Sequence, residues 1–153
     1  MKNIEKQLID RFRCPICKSD LMFIDEKFYC QKCSKSYIMK KSIPDFYIKP
    51  DNAVNNIKKS IKLIDILSKV YESSIWYPTV YHMYGGINIP SISNTIKKVT
   101  NMIKSHKLIL DVACGTGLYT RALAEKSKYV YGIDFSRGML EKAKTLAKKK
   151  KFK

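Results

Sequence analysis

Long hydrophobic runs are what this 153-residue sequence most plainly lacks. The apolar stretch from Leu108 to Ala113 is broken by Asp111, and nothing approaches the roughly 20 apolar residues that span a bilayer. A membrane span is therefore not expected. Acidic residues are scarce as well, 13 against 30 Lys and Arg, for a formal net charge of +17. Arginine is scarcer still, at Arg11, Arg13, Arg121 and Arg137 only. That lysine bias, in a chain also rich in Ile and Asn, is what AT-rich codon usage produces. It is equally the electrostatic footprint that draws RNA non-specifically, although the bidentate arginine reader is sparse, and both readings stay open. Histidine is limited to two positions, and His82 reads as a packed or surface residue rather than a catalyst. The N-terminus has no apolar secretory run, so a cytoplasmic address with reduced thiols is expected.

Cysteine is present, and its spacing carries information. Cys14-Pro15-Ile16-Cys17 and Cys30-Gln31-Lys32-Cys33 are two C-x-x-C pairs separated by twelve residues. Each pair can fold as a knuckle presenting two thiolates, and two knuckles close a four-coordinate zinc site with no open position. Such a site is structural. Disulfides are disfavoured in a reducing compartment, and a thioredoxin-type pair needs a βαβ context absent around Cys14. Strands are expected at 21–24, 27–29 and 36–39, with a turn at Asp25-Glu26. So small a unit buries little apolar surface, and metal binding should supply most of its folding free energy. Cys114 stands apart and reads as a small buried residue in a tight loop.

The run from Phe12 to Ile48, "FRCPICKSDLMF…FYCQKCSKSYIMKKSIPDF", resembles the zinc ribbon of the small activator protein of tRNA and protein methyltransferases. That ribbon also occurs fused in front of bacterial methyltransferase domains. Ser42-Ile43-Pro44 stands for the family's G-I-P, with Ser42 in place of the usual Gly. The ribbon of the large-subunit rRNA guanine methyltransferase typically ends its ligand set on His, whereas position 33 here is Cys.

Pro50-Asp51-Asn52 breaks the pattern, and the three-and-four spacing of Val54, Ile57, Ile61, Ile64, Leu67 and Val70 predicts an amphipathic helix over 53–70. An aromatic cluster follows over 71–84, read mainly as core packing, with roofing of a ligand as the alternative. A second helix is expected over 92–105, with Ser91 or Ser93 as its N-cap and Ile96, Val99 and Ile103 on one face.

The segment 107–113 reads as a buried strand, Cys114-Gly115-Thr116-Gly117 as a glycine loop, and 118–126 as a helix. A second strand over 129–133 ends in Asp134, and a helix over 136–150 follows, with Met139, Leu140, Ala143, Leu146 and Ala147 on its apolar face. This βαβα order predicts a parallel, doubly wound sheet with its ligand site at the carboxyl ends of the strands. A dinucleotide fingerprint would need a third glycine where Thr120 stands. Asp134, seventeen residues past Gly117, is placed to accept from ribose hydroxyls. Asp111 would repel a pyrophosphate and suits a ligand bearing an ammonium and a sulfonium.

"LILDVACGTG…YVYGIDFSRGMLEKAK" closely resembles the first two motifs of class I S-adenosylmethionine-dependent methyltransferases, with Ala113 in place of the first glycine. The resemblance implies that Asp111, Ala113, Gly115 and Gly117 line the methionine end, with Cys114 and Thr116 in the same loop. It implies that Asp134 holds the ribose and that Phe135 and Met139 flank the adenine.

The expected fold is thus α/β: the start of a Rossmann-like methyltransferase sheet, preceded by a zinc ribbon (1–50) and a helical connector (51–105), with the nucleotide segment at 106–153. The family's sheet has seven strands and this sequence supplies two, so it is read as the N-terminal part of a longer, truncated enzyme. No catalytic residue can be named, and the methyl acceptor, whether small molecule, RNA or protein, is open. The alternative is a zinc-ribbon adaptor or RNA-binding partner of a separate methyltransferase.

Overall fold

The computed structural model describes residues 9–48, 55–73, 75–86, 88–103 and 107–150; the side chains of 55–59, 77 and 78 are excepted. The Pro50-Asp51-Asn52 break, Val54 and the Ile57 side chain lie outside what is described. The chain forms two compact units, Met1–Asn52 and Ala53–Lys153.

In the first unit four antiparallel strands run in order: β1 (Met22–Ile24), β2 (Lys27–Cys30), β3 (Lys35–Lys40) and β4 (Ile43–Pro44). The β1–β2 turn sits where expected, with Asp25 and Glu26 both at positive φ (49° and 59°). This is the backbone twist that a two-residue hairpin requires. The β3–β4 turn repeats it at Lys41 and Ser42 (49° and 58°). The G-I-P motif's glycine is explained by that angle, and Ser42 adopts it without being glycine. Strand β4 is an addition to the three expected strands; at two residues it is too short to show a hydrophobic alternation. Cys14, Leu21, Phe28, Cys30 and Tyr37 form the buried core, with Phe12, Phe23 and Phe46 packed against it. The rings of Phe12 and Phe46 stand 5.4 and 5.2 Å from that of Phe28.

The second unit begins with α1 (Asn55–Leu67), a π-helical turn (Tyr77–Tyr81) running into the short α2 (His82–Gly85), and α3 (Ile92–Met102). Ser91 caps α3, its side chain accepting from Asn94 N. There follow β5 (Leu108–Val112), α4 (Leu118–Leu123), β6 (Tyr129–Ile133) and α5 (Arg137–Lys149), capped by Ser136. Strands β5 and β6 pair in parallel, Asp111 opposite Gly132. Among the described residues they are the whole of this sheet. No described helix is long and apolar enough to cross a membrane.

Two expectations are corrected. Strand β5 is not buried: Leu108, Leu110 and Val112 are 47, 58 and 66% exposed, and Ile133 on β6 is 48% exposed. The side chains of a strand alternate between faces, and helix packing covers only the other one. The inner side of α1 also differs from its apolar period. Ile64 and Val70 are exposed, whereas Ser68 is buried and Asp65 half-buried. The physical reason is that α1 packs against the start of α5, where unpaired N–H groups require acceptors.

Candidate functional site: a four-cysteine cluster and a glycine loop

The sulfurs of Cys14, Cys17, Cys30 and Cys33 all lie within 4.8 Å of one another. Three of the edges are 3.6 Å (Cys14–Cys33), 3.4 Å (Cys17–Cys30) and 3.8 Å (Cys17–Cys33). Four thiolates each ~2.3 Å from a zinc ion would stand about 3.8 Å apart, so the cluster has the dimensions of a tetrahedral site. Each knuckle closes with a left-handed residue immediately after its second cysteine, Lys18 (φ 62°) and Ser34 (φ 54°).

The thiols are unequal. Burial pushes the Cys14 thiol up, but the N–H groups of Cys17 and Ile16 and the Tyr37 hydroxyl outweigh it and hold it at about 6. Tyr37 Oη lies 3.3 Å from Cys14 Sγ and donates to the thiolate. Cys33 is pushed up to about 12, by burial and then by its sulfur neighbours. One thiolate thus forms readily and opposes the next, a repulsion that a divalent cation removes.

In the second unit the glycine loop follows β5. Ala113, Gly115 and Gly117 all have positive φ (59°, 54° and 76°). A Cβ built on Gly115 would meet nothing within 4 Å, so open space borders the loop there. A Cβ on Gly117 would stand 3.2 Å from Ala143 Cβ, and this glycine serves the packing of α5. Asp134 bridges the two loops: its Oδ2 accepts from Gly115 N and its Oδ1 from Ser136 N, both at 2.8 Å. Asp111 Oδ2 accepts from the Thr120 hydroxyl. Phe135 is 81% exposed beside Asp134, whereas Met139 is buried. Thr116 is also buried.

The Cys114 thiol is pushed up to about 11 by burial and then by the charges of Asp111 and Asp134. It is protonated at neutral pH and unsuited to act as a nucleophile. Its sulfur packs over Gly132, where an added Cβ would come within 2.8 Å.

Two acids that sequence reasoning passed over also meet the loops. Glu72 accepts hydrogen bonds from the Thr116 hydroxyl and from Arg121. Asp65 Oδ1 accepts from Gly138 N at 2.9 Å and from the Ser136 hydroxyl. The available signal was Arg121 itself, an arginine in a lysine-biased chain and suited to a buried bidentate role.

Residues 109–153 match a methyltransferase-domain family. Over 95% of its length the chain is 26% identical to an uncharacterized chloroplastic methyltransferase of Arabidopsis thaliana, covering 45% of that protein. Over 62% of its length it is 31% identical to malonyl-acyl-carrier-protein O-methyltransferase 2 of Coxiella burnetii, covering 36% of it. The chain therefore spans less than half the length of these methyltransferases. The structure of the YcgJ protein from Bacillus subtilis aligns with 40% of this chain and 27% of its own, at 19% identity and a TM-score of 0.38.

Proposed function

We propose that this chain is part of an S-adenosylmethionine-dependent methyltransferase of class I, carrying a structural zinc ribbon over 1–50, a helical connector over 51–105 and the cofactor loops in 106–153. The observation that carries the reading is Asp134, at the carboxyl end of β6, tied to Gly115 of a loop whose left-handed turns leave open space at that glycine. Asp111, Ala113, Cys114, Gly115, Thr116 and Gly117 would hold the methionine end, Asp134 the ribose, and Phe135 with Met139 the adenine. When bound, the cofactor supplies a methyl group activated on a sulfonium. What these residues do is orient it, and positioning provides much of the rate of such a transfer. Cys14, Cys17, Cys30 and Cys33 would hold zinc in a closed set, which leaves the metal no catalytic position. We further propose that the strands completing the sheet, and the groups that bind the acceptor, belong to sequence outside these 153 residues; a sheet of two strands among the described residues, with one face of β5 exposed, supports this.

The test is a calorimetric titration of S-adenosylhomocysteine into the zinc-loaded chain. Micromolar binding abolished by Asp134→Ala is the expected result. A soluble, zinc-loaded chain that does not bind would overturn the cofactor reading.

A further inference from the structure

The connector ahead of β5 reaches both loops of the site, in each case through a carboxylate. Glu72 follows α1, and its two oxygens take the Thr116 hydroxyl and the Arg121 guanidinium. Arg121 Nη1 turns back to donate to the Thr116 carbonyl at 2.6 Å, closing the group. The side chains of Glu72 and Arg121 are only 11 and 8% exposed. Glu72 adopts a left-handed backbone (φ 63°), a conformation that a non-glycine residue holds only where its surroundings require it. Within α1, Asp65 accepts from Ser136 and Gly138, and the closeness of that contact is visible at Gly138. A Cβ there would come within 2.8 Å of Ser68 Oγ and 2.9 Å of the Asp65 carbonyl.

These contacts join into a circuit. Asp65 holds Ser136, Ser136 N is bonded to Asp134, Asp134 is bonded to Gly115 N, and the adjacent Thr116 returns to the connector at Glu72. The loop after β5 and the loop after β6 are therefore linked twice, directly through Asp134 and again through one helical segment. A connector that only covered the site would need neither carboxylate. We propose that Asp65 and Glu72 are positioning residues for the two cofactor loops, so that the site has its full affinity for S-adenosyl ligands only while the connector is seated on both. The proposal rests on the reading of these loops as the S-adenosylmethionine site.

Linkage makes the effect reciprocal: if the seated connector raises ligand affinity, the ligand must stabilise the seated connector. Trp76 is the chain's single tryptophan, and its ring stands 5.6 Å from that of Tyr71, the neighbour of Glu72. Its emission therefore reports on the connector. In the zinc-loaded full chain, S-adenosylhomocysteine is titrated into wild type, Glu72→Gln and Asp65→Asn, followed by calorimetry and by Trp76 emission. Each variant is expected to bind roughly tenfold more weakly. Saturating ligand is expected to shift Trp76 emission in wild type and to leave it unchanged in Glu72→Gln. Folded variants that bind as wild type does, or a Trp76 emission that ignores ligand in wild type, would overturn the proposal. A wild-type chain that binds no ligand at all would instead overturn the cofactor reading on which it rests.

Discussion

In residues 9–48 the sulfur contacts between the two cysteine pairs span 13 to 19 positions, and Tyr37 reaches Cys14 across 23. In the second unit the polar contacts that assemble the glycine loop and the start of α5 span 44, 49, 71 and 73 positions. The first region is organised by short loops around a common point, and a single ion at that point would satisfy every ligand. The second is organised by carboxylates brought from a distant helical segment to N–H and hydroxyl groups that packing would otherwise strand. A short-range design can be read from spacing, because few backbone paths join two knuckles. A long-range design depends on which helix face packs where, and spacing is silent on that.

Metal removal tests this contrast most severely. If residues 9–48 hold zinc as proposed, its chelation, or Cys14→Ser, is expected to unfold them while leaving the second unit's helical signal intact, since structural zinc contributes on the order of 10 kcal/mol in such small units. Amide resonances assigned separately to the two units would show it. Equal loss of both would mean that the second region does not fold independently of the metal.

A smaller effect is expected where α1 meets α5. Gly138→Ala should destabilise the second unit by about 1–3 kcal/mol in urea unfolding, because the new methyl meets backbone atoms of Asp65 that cannot swing aside. Helix propensity alone favours alanine by about 1 kcal/mol, so the sign of the change decides whether the close approach governs. The transition of residues 9–48 should not move.

The smallest effect is expected at the variant glycine position. Ala113 holds φ 59°, and Ala113→Gly is expected to stabilise the second unit by about 0.5–1 kcal/mol, the left-handed penalty relieved less the added chain entropy of glycine. Thermal unfolding monitored on the second unit would measure it. A decrease would mean that the Ala113 methyl makes a packing contact worth more than its backbone cost.

Much of both regions was legible. The turn at Asp25-Glu26, strands β5 and β6, the Ser91 cap and the start of a helix near Ser136 follow from turn chemistry, capping and hydrophobic period, which are local. Strand β4 was not legible, since two residues carry no period. The exposure of Leu108, Leu110 and Val112 was not legible either. An apolar run shows that a strand can be covered, while the number of layers packed on it is a property of the whole assembly.

The sequence by itself determined the tetrad Cys14, Cys17, Cys30 and Cys33, the parallel βαβα order, and the pair of acids, Asp111 and Asp134, that frame the glycine loop. Ligand spacing and main-chain angles act over a few residues, and the residue types required at such positions are few. Only the tertiary structure decided that Asp65 and Glu72 close a circuit through Ser136, Asp134, Gly115 and Thr116. Either acid alone reads as one more solvated charge on a helical segment. It becomes part of the circuit because buried N–H and hydroxyl donors need acceptors, and the packing of α1 and its following turn brings those acceptors to them.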